Sequence, residues 1–145
     1  MEIKQKVLDQ LNDNSLYHLL GLRVEEAGDG AARSRLAPEP EICWPFPGQP
    51  HGGVLFTLMD TTMAWAVFSE VAPDHNCATI SLDIQYILPA NGKLFTCSAR
   101  VINRTGRTSF ARAEIRDAEE RILALGQGTF RIIESDIMRE AFNKK

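Results

Sequence analysis

Apolar residues recur along this chain first at helical and then at strand spacing. Ile3, Val7, Leu8 and Leu11, followed by Leu16, Leu19 and Leu20, lie mostly three or four apart, which predicts a helical arm over residues 3–20 stopped by Gly21 as a C-terminal cap. Two short runs, 22–27 and 32–36, flank Gly28-Asp29-Gly30 and predict a β-hairpin. Five prolines between Pro38 and Pro50 remove backbone donors and disfavour helix, leaving an ordered loop or a flap. From Val54 to Phe68 the chain is apolar on nearly every side when wound at 3.6 residues per turn, the pattern of a buried helix. Beyond it the period drops to two. Ile80, Leu82 and Ile84 alternate with Ser81, Asp83 and Gln85, and Phe95, Cys97, Ala99 and Val101 form a second apolar face. Two further strands are expected over 107–116 and 121–133. Turn signals at Pro89-Ala90-Asn91-Gly92, Thr105-Gly106 and Asp117-Ala118-Glu119-Glu120 predict that the four strands form an antiparallel meander. Residues 135–145, with Ile137, Met138 and Phe142 at helical spacing, predict a short peripheral helix.

A hairpin, one long buried helix and four strands make an α+β domain spanning residues 1–145. The compact way to bury such a helix is a twisted antiparallel sheet wrapped around it. Gly126 and Gly128 alternate with Ala124 in the last strand, either letting the helix approach the sheet or marking a bulge.

Composition narrows the function classes. Over 145 residues, 44% hydrophobic and 24% charged content is that of a soluble globular domain rather than a disordered or fibrous chain. A net charge of -3 with no basic patch argues against nucleic acid as a partner. The N-terminus, Met1-Glu2-Ile3-Lys4-Gln5-Lys6, has no apolar leader, so a cytoplasmic location is expected. The apolar stretch Val54 to Val67 is short for a membrane span and is interrupted by Asp60, so no membrane partner is expected. Cys43, Cys77 and Cys97 are scattered, as are His18, His51 and His75; neither set has the spacing of a metal site, so no metal and no cofactor are expected.

The chemistry concentrates between His51 and Asp60. Gly52 and Gly53 at a helix start leave N–H groups uncovered at the positive end of the helix dipole, where an anion or an oxyanion fits; they also simply permit a tight turn after Pro50. Asp60 sits among Leu58, Met59, Met63 and Trp65, where a carboxylate loses hydration that a function, or a hydroxyl such as Thr57 or Thr61, must offset. Gly53 and Asp60 share a helix face but stand about 10.5 Å apart along its axis. Both can serve one carbonyl only if two copies of the chain contribute. His51 either orients the loop near a bound carbonyl or is held by the backbone at the helix start.

His51-Gly52-Gly53, four residues, Leu58, one residue and Asp60 resembles the HGG-x4-L-x-D signature of PaaI-type hotdog-fold acyl-CoA thioesterases. The likeness continues through Leu82-Asp83-Ile84-Gln85-Tyr86, Pro89-Ala90, Gly92, Arg104-Thr105-Gly106-Arg107 and Gly126-Gln127-Gly128, covering residues 20–133. The resemblance implies a hotdog fold, hydrolysis of an acyl-CoA thioester, and a homodimer pairing into a homotetramer, with the site at the dimer interface. It places the catalytic carboxylate on Asp60, the oxyanion amide on Gly53, and an assisting hydroxyl on Thr79 or Ser81. It implies CoA-phosphate contacts at Arg104, Gly106 and Arg107, while Gly52 at the helix start is a substrate-contact candidate and Phe46, Phe56, Met63 and Trp65 either line an acyl pocket or are plain core. Asp60 would act as general base or as nucleophile. One position departs from the pattern: many members carry Asn six residues before the His, and this chain has Pro45, with Gln49 a candidate substitute.

Two other readings follow from the same residues. Phe46-Pro47-Gly48-Gln49-Pro50 is similar to the loop of acyl-carrier-protein dehydratases, but Pro45 stands where they need His, and Thr57 and Leu58 where they need an acid. A non-catalytic acyl-CoA binding module on the same fold would bind without needing Asp60. Thiol release from acyl-CoAs separates it from an enzyme.

Overall fold

The computed structural model describes residues 1–136, 139 and 140. The arm is two helices, α1 (Gln5–Asn12) and α2 (Ser15–Leu20), rather than one. Asn14 causes the break: the Tyr17 N–H donates to its Oδ1 at 3.0 Å, restarting the helix with a new N-cap. Buried Asn12 docks the arm on the first strand, its amide donating to the Val24 carbonyl and accepting the Val24 N–H, both at 2.8 Å. That strand, β1 (Leu22–Gly28), pairs with β2 (Ala31–Leu36) through a turn in which Asp29 and Gly30 both take positive φ, as a two-residue hairpin requires. The proline-rich segment contains one helical turn, α3 (Pro40–Cys43), with Pro40 at its start. The predicted C-terminal helix carrying Ile137, Met138 and Phe142 lies outside the described residues.

The central helix, α4 (Gly52–Val71), runs 20 residues, longer than the apolar run suggested. By length and composition it could cross a bilayer, yet it is the core: Leu58, Met59, Thr62, Met63, Ala66 and Val67 are fully buried. One stripe is not covered within the chain. Gly53 and Phe56 are exposed, and Thr57, Asp60 and Ala64 are half-buried, so the expectation of burial on every side fails along this face.

Four strands follow, β3 (His75–Tyr86), β4 (Phe95–Thr105), β5 (Thr108–Asp117) and β6 (Ile122–Glu134), and the antiparallel sheet has the order β1-β2-β4-β5-β6-β3. It wraps α4 in the hotdog manner. The four-strand meander is corrected here: only β4–β5–β6 is one, and β3 crosses to the far edge beside β6. The cause is competition for one edge. β2 already holds β4 from Ala31↔Arg100 to Leu36↔Phe95, so β3 takes the free edge of β6, from His75↔Glu134 to Tyr86↔Ala124. Its other edge has no partner among the described strands.

The two strand glycines mark the close approach of helix and sheet. A Cβ on Gly126 would strike Met59 Sδ and sit 2.8 Å from the Asp83 carbonyl oxygen, and one on Gly128 would lie 3.3 Å from Met63.

Candidate active site

His51 is the N-cap of α4, and its Nδ1 accepts the Gly53 N–H at 2.8 Å. The ring is therefore unprotonated at that nitrogen. The Gly53 amide expected for an oxyanion thus already has a partner within the chain, one that an incoming oxygen must displace. Tyr86, at the end of β3, donates its hydroxyl to the Gly52 carbonyl at 2.7 Å, and a Cβ on Gly52 would meet its ring at 3.2 Å. Glycine at 52 lets the phenol clamp the helix start to the sheet. Nothing local in the sequence marks this role, because the partners stand 34 residues apart.

Two turns further along α4, Asp60 is half-buried, and the Thr79 hydroxyl donates to its Oδ1 at 2.7 Å. Among the described residues Thr79 is its hydrogen-bond partner. Thr57 instead donates to the Gly53 carbonyl at 3.0 Å. The backbone explains why Thr79 and not Ser81 reaches the carboxylate: Thr79 pairs with Phe130 but Ser81 with Thr129, so Ile80 is an extra, bulged residue. The bulge turns Leu82, Ile84 and Tyr86 toward α4, puts Ser81 on the outer face, and leaves Ile80 60% exposed. The apolar alternation read from Ile80 through Ile84 is corrected accordingly.

Asp60 opens onto a pocket of about 290 Å³ between α4 and the N-terminal arm. Trp65 Nε1 donates to the Tyr17 hydroxyl across it at 3.2 Å. Burial, and in lesser part the Asp60 charge, pushes the Tyr17 phenol up. Cys77, beside it on β3, is pushed up to about 12, chiefly by burial and then by the Asp60 charge. That thiol stays protonated at neutral pH and is no nucleophile. Asp60 is the one carboxylate among the described residues that line this pocket.

The arginines are placed elsewhere. Gly106 and Arg107 form the β4–β5 turn, with Arg104 just before it, and Arg107 pairs with Glu134 at 3.2 Å on the surface. Through Thr108↔Arg131 and Arg131↔Ala78 this turn lies level with Thr79, two strands away. It is roughly 27 Å along β3 from Tyr86, at 3.4 Å per residue. One chain therefore brings Asp60 and Thr79 together, brings Gly52, Gly53 and His51 together, and joins neither group to Arg104, Gly106 and Arg107. Phe56 lies on the uncovered stripe between the first two groups. Pro45 and Gln49 belong to the loop before α4, where Gln49 bridges Phe46. A larger concavity of about 890 Å³, lined in part by Asp83, Arg100, Arg112 and Glu114, lies on the outer face, behind the sheet from Asp60. Among the described residues no cluster of His, Cys, Asp and Glu could hold a metal.

A sheet wrapped around one long helix, with the Asp60 carboxylate at mid-helix on its uncovered stripe and a glycine turn at its start, is the architecture of hotdog-fold hydrolases acting on ester and thioester bonds. The chain belongs to the thioesterase superfamily, whose family profile matches residues 48–124. It is similar to "Putative esterase VNG_1336C" of Halobacterium salinarum, with 34% identity over 135 residues, covering 87% of this chain and 89% of the relative. Its fold matches the thioesterase HI1161 of Haemophilus influenzae with a TM-score of 0.82 at 21% identity, over 91% of this chain and 92% of that one. It also matches the E. coli PaaI protein from the phenylacetic acid degradation operon with a TM-score of 0.77 at 22% identity, over 89% and 91%.

Proposed function

We propose that the protein hydrolyses an acyl-CoA thioester to free acid and CoA at a site shared by two copies of the chain. The observation that carries this reading is Asp60, a carboxylate on the core helix of a thioesterase fold, oriented by Thr79 and open to a pocket in which, among the described residues, it is the one carboxylate. Asp60 takes the proton of a water whose oxygen attacks the thioester carbon, or attacks that carbon itself to give an acyl–aspartyl anhydride that a water then cleaves to free acid and the restored carboxylate; in either route the C–S bond breaks and the CoA thiolate leaves and takes up a proton. The carbonyl oxygen, negative in the transition state, rests on the Gly53 N–H and the positive end of α4, displacing His51 Nδ1.

Gly53 and Asp60 of one chain are too far apart along α4 for this, so the partner supplies one of them. The unpaired edge of β3 supports such a partner: it is 12 residues long and carries exposed Ile80 and Tyr86 beside the uncovered stripe of α4. Edges of that kind pair with other chains. Pairing of dimers into a tetramer and a cytoplasmic location remain part of the proposal.

The experiment is thiol release from a panel of acyl-CoAs. Turnover is expected for at least one, and saturable binding with no turnover by any would make the protein a binding module instead. Thr79→Val, which removes the hydrogen bond to Asp60, should lower kcat about tenfold or more, the worth of a hydrogen bond to a charged group. Thr79→Ser should restore most of the loss, and equal kcat for the Val and Ser variants would show that the hydroxyl is idle.

A further inference from the structure

The geometry points to the pocket between the N-terminal arm and α4 as the acyl site, and to a compact acyl group as its guest. This inference rests on the thioesterase reading and deepens it. Leu11 of α1 and Tyr17 of α2 form one wall, and Ala64, Trp65 and Phe68 of α4 the other, with Asp60 on the same surface. Trp65 and Phe68 meet edge to face, ring centroids 5.6 Å apart, and the Trp65–Tyr17 hydrogen bond ties the arm across to the helix. A flexible chain end would not hold a cavity open, but this arm is anchored through Asn12 on β1.

Charge decides which end of the substrate enters. Among the described residues Asp60 is the one carboxylate in the lining, and no Lys or Arg lines it. The phosphates of CoA would meet a carboxylate there with no cation to offset it, whereas an uncharged acyl chain loses only water. The acyl group therefore points into the pocket, and CoA runs outward past Asp60. Size then sets the class. A pocket of about 290 Å³ fits a short or medium acyl group better than a palmitoyl chain. It lies at the small end of ligand pockets generally.

The test is kcat/KM for thiol release over straight-chain acyl-CoAs from acetyl to palmitoyl. It is run on wild type, on Leu11→Ala, which widens the pocket, and on Ala64→Leu, which narrows it. Both positions are half-buried, and thermal melts confirm folding. In wild type kcat/KM should rise about fourfold per methylene, the worth of burying one CH2, peak at a short or medium chain, and fall at least tenfold by palmitoyl. Leu11→Ala should move the peak to longer chains and Ala64→Leu to shorter ones. A peak that neither folded variant moves, or palmitoyl-CoA as the best substrate, overturns the assignment. Binding of the same series to Asp60→Asn, read by titration calorimetry, separates the two claims. Chain-length-dependent binding with no turnover in wild type sinks hydrolysis and keeps the pocket, while binding indifferent to chain length sinks the pocket alone.

Discussion

Asp60→Asn should lower kcat/KM for thioester hydrolysis by about 10²–10⁴-fold, the usual contribution of a positioned general base, and leave the fold intact. The amide has the size of the carboxylate and can still accept the Thr79 hydroxyl at Oδ1. It can neither take a proton from water nor displace CoA. The substitution thus isolates basicity from shape, which Asp60→Ala would not. It also removes a charge from a half-buried position among apolar neighbours, so stability should hold or rise slightly. Thiol release measured beside a thermal melt reads both effects. A variant with kcat/KM within a factor of about three of wild type, less than the span of any general-base effect, would transfer the chemistry to another group.

Gly126→Val should destabilise the chain by about 2–3 kcal/mol, the cost of overpacking a filled core. The added carbon meets Met59 Sδ, which can swing, and the Asp83 carbonyl oxygen at 2.8 Å, which belongs to the neighbouring strand and cannot. Either β3 or α4 must shift, and both carry the site, because Asp60 on α4 and Thr79 on β3 share one hydrogen bond. The melting temperature should fall by about 5–10 °C at fixed protein concentration, with activity lost ahead of the melt. An unchanged melting temperature would mean that helix and sheet do not approach as closely as the structure has them.

The features legible in the sequence are those encoded within a few residues. His51-Gly52-Gly53 and Asp60 lie in one short segment, and the structure makes them one helix start and one carboxylate on that helix. The hairpin turn is visible in Gly28-Asp29-Gly30, whereas the sequence leaves Gly126 and Gly128 between a close approach and a bulge, and the structure assigns them to the approach. What stayed hidden depends on pairing at a distance. Periodicity assigns a strand its faces but not its neighbour, so the crossing of β3 to β6 was missed. A bulge inverts faces without any mark in composition, and Ile80 thereby decided between Thr79 and Ser81. Tyr86 on Gly52 and Tyr17 on Trp65 join residues 34 and 48 positions apart, and a lone tyrosine gives no local sign of such a partner. The break between α1 and α2 did leave a signal, since Asn14-Ser15 is a capping sequence, but the run of leucines through it masked the stop.

The claim on which the mechanism turns is that one reaction centre takes Asp60 from one chain and the Gly53 amide from its partner, and subunit mixing tests it most directly. Gly53→Pro deletes that N–H in the first turn of α4, where proline is tolerated, so each variant alone should be nearly inactive. In a hybrid of Asp60→Asn with Gly53→Pro, one shared centre carries both defects and the other carries neither. Equal mixing, unfolding and refolding together should therefore recover roughly a quarter of wild-type activity for a two-fold dimer. Recovery of none, with hybrids shown to form, would place both groups on the same chain and contradict the shared site.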